Sequence, residues 1–383
     1  MTDIAIYGFR PGPGGIPHVI RNLTRQMVAA GIRVDLLLHH QAHSTELPSG
    51  VSCRQLAGNS FPQRILALHN YLRETQPRVL LTNREPANRA ALLALLLLPQ
   101  ALRPRFVPRV GMAVASALER RSWWKRRLRR ESMRFCYRAA DMVIANAGDV
   151  ARDLQEKIGV PAAKLRILPN PTIDSELFQK AACEPEHPWL RQGSLPVLMA
   201  VGRLARQKDY PTLLKAFARL HREYGYRARL IILGEGGERP RLEKMIADLR
   251  ITGRVALPGY VDNPFAWMAR ADLFALSSAW EGSPNVLIEA LALGLPCVAT
   301  DCPGGSREIL DRGRYGRLVK VGNDRELALA LRLTLENPLP AASLQAAVER
   351  FKSEHAAQEY LRVLLPENFT LRMKPSRPET TTT

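Results

Sequence analysis

The 383 residues carry a formal net charge of +19, with 46% hydrophobic and 24% charged side chains. That length is more than one ordinary domain and suits two, and the composition excludes a disordered, collagenous or disulfide-stapled chain. The longest apolar run, Ala90 to Leu98, is about half of the ~18–20 residues that a membrane span needs, so it is read as a buried helix. Asp3 and the Gly/Pro cluster after Phe9 interrupt any signal-peptide pattern. The cysteines (Cys53, Cys136, Cys183, Cys297 and Cys302) are odd in number, are scattered without metal-ligand spacing, and read as reduced cytoplasmic thiols. Most of the basic excess lies in residues 1–180. It points to a polyanion, anionic lipid or nucleic acid, or else to a solvated basic face.

In chain order, Ile4 to Phe9 reads as a short apolar strand and Arg10 to Gly15 as a loop. A helix follows from Ile16, with Val19, Ile20, Leu23 and Met27 at helical spacing. Gly31 ends it, and Val34–Leu38 makes the next strand. Strands are expected at Val79–Leu81, Phe106–Val110, Met142–Ala145 and Leu165–Leu168, with helical stretches between them. The pattern dissolves over 183–196, the candidate linker. It restarts with strands at Val197–Val201, Leu230–Leu233, Val255–Leu257, Leu273–Leu276, Cys297–Thr300 and Leu318–Val321. Helices are expected at Tyr210–Glu223, Arg239–Leu249, Asn285–Leu293 and Arg325–Glu336. Two runs of alternating strands and helices make an α/β chain of two Rossmann-like domains, 1–182 and 197–350, with ligands expected beyond the carboxyl ends of the strands. A helix over 351–370 is expected to return to the first domain, and 371–383 to form a disordered tail.

Three loops carry candidate chemistry. Gly12-Pro13-Gly14-Gly15 opens a helix, where backbone comes close to a ligand and the helix N-terminus favours a phosphate; an ordinary tight turn explains it equally well. Pro17 stands where a dinucleotide fingerprint needs its third glycine. Gly202-Arg203 through Lys208 places two cations after a strand, suited to a diphosphate or merely solvated. Glu281-Gly282-Ser283-Pro284-Asn285-Val286-Leu287-Ile288-Glu289 sets a carboxylate in a loop and a second inside the following helix. The N–H groups of Gly282 and Ser283 lie at that helix's positive end. Such carboxylates accept hydrogen bonds from sugar and ribose hydroxyls; the plainer alternative is one solvated and one helix-surface glutamate.

Glu281 and Glu289 resemble the E-x7-E signature of the retaining glycosyltransferases of family 4, also called glycosyl transferases group 1. Similar blocks are Val201-Gly202-Arg203-Leu204 with Gln207-Lys208-Asp209, Leu233-Gly234-Glu235-Gly236, Pro258-Gly259-Tyr260-Val261, Pro303 to Glu308 and Pro169-Asn170-Pro171. The resemblance covers roughly 1–365 and is strongest over 197–320. It implies the GT-B fold and transfer of a hexose or N-acetylhexosamine, with retention, from a nucleotide-sugar, in particular a UDP-sugar. Implied catalytic residues are Glu281, Arg203 and Lys208. Implied donor contacts are Gly14, Gly15, Gly202, Gly234, Glu235, Gly282, Ser283, Asn285, Val286 and Glu289.

Many members carry a histidine after a first-domain strand. Here the stretch reads Pro108-Arg109-Val110-Gly111-Met112, which leaves Arg109 as the acceptor-side candidate. No D-x-D occurs, so no cofactor and no metal are expected. The basic segment Arg120 to Arg130, with Trp123 and Trp124, suits the cytoplasmic face of an inner membrane and a lipid-linked glycan acceptor, unless the tryptophans pack inward. The alternatives are a soluble sucrose- or trehalose-type enzyme and a sugar-nucleotide epimerase or hydrolase. A nucleic-acid partner lacks any recognition motif.

Overall fold

The computed structural model describes residues 2–12, 14–39, 50–112, 123–185, 187–191 and 195–365. Two parallel sheets organise them. The first comprises β1 (Ile4–Tyr7), β2 (Val34–Leu38), β3 (Ser52–Gln55), β4 (Val79–Asn83), β5 (Arg105–Val110), β6 (Val143–Ala145) and β7 (Leu165–Ile167), in the order β3-β2-β1-β4-β5-β6-β7. The second comprises β8 (Val197–Val201), β9 (Arg229–Leu233), β10 (Val255–Gly259), β11 (Leu273–Leu276), β12 (Cys297–Thr300) and β13 (Arg317–Val319), in the order β10-β9-β8-β11-β12-β13. Helices cover both faces of each sheet, so the central strands are apolar throughout. All of Ile4–Tyr7 and of Leu273–Leu276 is buried. The expected pair of Rossmann-like domains is therefore present.

In each sheet the strand order reverses beside the first strand. The chain runs from β1 to β2 and β3, then crosses to β4 on the other side of β1; β8 and β11 repeat this. Loops leaving the carboxyl ends on either side of such a reversal diverge and leave a crevice. The candidate loops after β1, β8 and β11 all leave from these crevices.

Three features depart from the sequence reading. Edge strand β3 has four exposed residues, Ser-Cys-Arg-Gln, and no apolar pattern to announce it. The Ala90–Leu98 run, in the helix Glu85–Leu96 and its end, buries Ala91, Ala94 and Leu95 among others but leaves Leu93, Leu96 and Leu97 exposed, so it is not buried throughout. The helix Ser175–Ala182, read as the end of the first domain, packs on Pro264–Met268 of the second; Asn263 Nδ2 donates to Lys180 O at 2.8 Å.

The helix Ser353–Leu364 returns to the first domain. Ala357, Tyr360, Leu361 and Leu364 share a core with Ile4, Ile20, Leu23 and Met27. The two crossing segments run side by side, with the N–H groups of Thr172 and Ile173 donating to Phe351 O. The expected tail, and residues 366–370 of the expected last helix, lie outside the described residues. All five cysteines are free.

Candidate active site

Strand β8 is followed by Gly202, which adopts φ +155°; a Cβ there would come 2.8 Å from Lys208 Cε. Glycine therefore lets the Lys208 stem fold back over the strand end. Its Nζ stands 2.7 Å from Glu281 Oε1, and the two side chains are 15% and 9% exposed. Ser278 Oγ donates to the same carboxylate oxygen at 2.6 Å, and Gln207 Nε2 donates to the other at 3.3 Å. Three donors from the loops after β8 and β11 thus fix Glu281 in one orientation. Arg203, which follows Gly202, is exposed and makes no ion pair among the described residues.

The loop carrying Glu281 is wedged against the first domain. A Cβ on Gly282 would lie 1.9 Å from Gly111 O, and Gly282 forms an antiparallel bridge with Met112. No other residue type fits there without moving one domain. Glu289 lies half-buried in the helix Asn285–Ala292. Burial raises its carboxyl above the usual carboxylate range; His18 opposes this, Asp174 adds to it and Lys208 opposes it. His18 and Asp174 belong to the first domain's helix and to the crossover, so Glu289 faces the cleft between the domains.

A chain of amides closes the back of that cleft. Asn285 Nδ2 donates to Gly15 O at 3.1 Å, in the first turn of the helix Gly15–Ala29 that Gly14 precedes. Asn285 Oδ1 accepts from Asn170 Nδ2 at 2.6 Å. Asn170 Oδ1 in turn accepts from Arg109 Nη2 at 2.5 Å. Arg109 also donates to Tyr360 Oη at 2.9 Å and to Asn83 Oδ1 at 3.5 Å, and it is 3% exposed. Its donors are taken up by β4, the crossover and the last helix. Arg109, expected on the acceptor side, is buried here and braces the amide chain.

The structure therefore gathers Gly202, Lys208, Glu281, Gly282, Asn285, Glu289 and Gly15 around one cleft. Gly234 packs against Gly202 O and donates its N–H to Gly259 O at 2.7 Å. Glu235 is turned to the surface, paired with Arg239 at 2.9 Å, and Ser283 and Val286 are half-buried at the helix entrance. Pro13 lies outside the described residues. Sequence reasoning missed Ser278 and His18, and named Gln207 only within a family block, without a role. His18 stands one turn into the helix after the glycine loop, a position that could have singled it out.

Two family models match the chain. Residues 187–352 match the glycosyl transferases group 1, and residues 13–175 match Glycosyltransferase Family 4. Among curated proteins, the N-acetylgalactosamine-N,N'-diacetylbacillosaminyl-diphospho-undecaprenol 4-alpha-N-acetylgalactosaminyltransferase of Campylobacter jejuni is 33% identical over 201 residues, 52% of each chain. The lipopolysaccharide core biosynthesis glycosyltransferase LpsE of Rhizobium meliloti is 29% identical over 233 residues, 60% of this chain and 65% of that one. The match thus spans about half to two thirds of these relatives. Among solved structures, Anabaena Alr3699/HepE in complex with UDP superposes with a TM-score of 0.77 at 20% identity, covering 95% of this chain and 99% of that one. Sucrose-phosphate synthase from Thermosynechococcus elongatus gives 0.76 at 18% identity, covering 95% and 98%. At these identities the likeness is one of fold.

Proposed function

The chain belongs to the glycosyltransferases of family 4 type with the GT-B fold, and on that premise we propose that it moves a hexose or N-acetylhexosamine from a UDP-sugar to a lipid-linked glycan acceptor, with retention and without a metal ion. The observation that carries this reading is the Lys208–Glu281 pair in the loops after β8 and β11, with Asn285 of the following helix joined to Gly15 at the helix start of the first domain. In the reaction, the bond from the sugar's anomeric carbon to the β-phosphate oxygen breaks and the electron pair leaves with the nucleoside diphosphate. Arg203 and Lys208 stabilise that growing charge in place of a divalent ion. Glu281 holds hydroxyls of the donor sugar, and Glu289 those of the ribose. The acceptor hydroxyl attacks from the face the leaving group vacates, and its proton passes to a phosphate oxygen, which keeps the configuration.

A surface of the first domain supports a lipid-borne acceptor. In the helix Trp123–Ala139, Trp123 is 71% exposed, Trp124 52%, Leu128 67% and Phe135 59%. Exposed Lys125, Arg126, Arg127 and Arg130 surround them, and the neighbouring helix Glu85–Leu96 adds exposed Leu93 and Leu96. The tryptophans do not pack inward. Indoles at headgroup depth with cations on lipid phosphates suit peripheral docking on the cytoplasmic face of an inner membrane. Arg120, Arg121 and Ser122 of this segment lie outside the described residues, and among the described residues no helix is long and apolar enough to cross a membrane.

The test is incubation with a panel of nucleotide-sugars and with lipid-linked and soluble acceptors, followed by mass spectrometry of the products. A glycosylated lipid-linked acceptor is expected. A sugar phosphate or free disaccharide product would favour a sucrose- or trehalose-type enzyme, and release of free sugar or of UDP without acceptor an epimerase or hydrolase.

A further inference from the structure

A second cavity, with a volume of about 200 Å³, opens at the carboxyl ends of β1, β2 and β4 in the first domain. Phe9, Leu38 and Phe61 supply apolar walls, and Arg10, Arg64 and Arg84 converge on the remainder. No Asp or Glu of the described residues lines it. The nearest in sequence, Glu85, is taken up by Arg89 at 2.8 Å and Arg129 at 3.0 Å. The Nε groups of Arg64 and Arg84 are buried and have no hydrogen-bond partner among the described residues.

Arg84 is held at this spot by its backbone. It follows β4 with φ +74°, a conformation costly for a side chain of its kind, and leads into the helix Glu85–Leu96. Burial, and then the neighbouring Arg10 charge, hold its guanidinium below its usual range. A fold that converges three cations, strains the backbone under one of them and leaves buried donors unmet is stabilised by an anion in the space between them.

Planar guanidinium forks match the several oxygens and double charge of a phosphate better than the two oxygens of a carboxylate. The apolar walls leave room for a ring face or a few methylenes beside it. The cavity is tied to the reaction cleft through the backbone. Phe9 and Arg10 stand on the loop that continues to Gly15, whose carbonyl accepts from Asn285 of the donor domain.

We propose that this cavity, lined by Arg10, Arg64 and Arg84, binds a phosphate-bearing group of the acceptor and so selects phosphorylated acceptors over neutral ones. This rests on the glycosyl-transfer reading above, and the test separates the two.

Inorganic diphosphate is titrated calorimetrically into the full chain with UDP saturating the donor site, then into the R10Q/R64Q double variant and, separately, into R84Q. The double variant leaves the strained backbone at Arg84 untouched, so a folding failure of R84Q does not decide the outcome. One diphosphate site is expected to persist beside UDP, weakened at least tenfold in R10Q/R64Q, with UDP affinity unchanged. Competition by geranyl diphosphate marks a lipid-borne phosphate, and competition by a hexose 1-phosphate a soluble one; either supports the cavity's role. No diphosphate site beside UDP, equal affinity in the double variant, or competition by neither compound overturns it. Failure of UDP itself to bind sinks the glycosyl-transfer reading instead, and diphosphate titration of the UDP-free chain and variants still decides whether the arginines hold phosphate.

Discussion

Lys208 and Glu281 leave different strands and lie 73 residues apart, yet Nζ and Oε1 stand 2.7 Å from each other beneath a largely closed surface. A leaving diphosphate would share this ammonium with the carboxylate, so donor sugar and phosphate are expected to lock the pair further. Removal of such a charge-stabilising group costs about 3–4 kcal/mol, a hundredfold or more in turnover. K208A and E281A are each expected to show that loss while still melting cooperatively. Because the two act as one unit, the double variant should lose little more than either single. Additive losses, or near-normal turnover in either folded variant, would remove the pair from the donor site.

Glu289 carries a raised carboxyl, and the sign of its effect on stability follows. Below the usual 4.5 both folded and unfolded chains hold the proton, and the folded state has no charge to bury. As pH rises through the raised value, the folded chain must ionise a partly buried group and loses stability. E289Q is therefore expected to match the wild type at low pH and to exceed it in denaturant midpoint at pH 7 and above. The same change should weaken UDP about tenfold to a hundredfold if ribose hydroxyls donate to the carboxylate, since a hydrogen bond to a charged group contributes about 1.5–3 kcal/mol. A stability difference that does not change with pH contradicts the burial argument.

Arg109 is expected to behave as a brace. R109M leaves Asn83, Asn170 and Tyr360 without their donor inside the protein and should lower unfolding free energy by about 2 kcal/mol or more. The KM for acceptor should remain unchanged in the folded fraction. A raised acceptor KM at unaltered stability would return Arg109 to direct acceptor contact.

Anionic liposomes should pull the protein down in sedimentation, increasingly with anionic lipid and less at high salt, as surface charges are screened. Each cation near the surface contributes about 1 kcal/mol. Replacing Trp123 and Trp124 with Ser, together with Arg126 and Arg127 with Gln, should abolish the effect without changing turnover on a soluble short-chain acceptor. Absence of binding even at low salt would favour a soluble acceptor.

Transfer should survive EDTA if, as proposed, Arg203 and Lys208 meet the charge on the departing diphosphate. Activity abolished by the chelator and restored by Mg²⁺ or Mn²⁺ would show that a divalent ion is needed.

The alternation of apolar strands with helices was legible in the sequence because parallel strands covered on both faces must be apolar along their whole length. Val197–Val201 and Leu273–Leu276 emerge with the bounds that reading predicts. The candidate loops were legible for a related reason: glycines and charged residues directly after such strands can only lie at carboxyl ends. Periodicity reports local burial and nothing about partners, so it could not find the polar edge strand Ser52–Gln55 or decide which way Trp123 and Trp124 point.

What the sequence by itself determined is therefore the pair of α/β domains and the positions of Gly202, Lys208, Glu281 and Glu289 at strand ends and in the helix that follows. What only the tertiary structure decided is which groups meet across the cleft. Asn170 reaches Asn285 over 115 residues, and Asn285 reaches Gly15 over 270. Such contacts depend on how two domains dock, and that is set by close approaches such as Gly282 on Gly111 O, whose energy belongs to surfaces far apart in the chain.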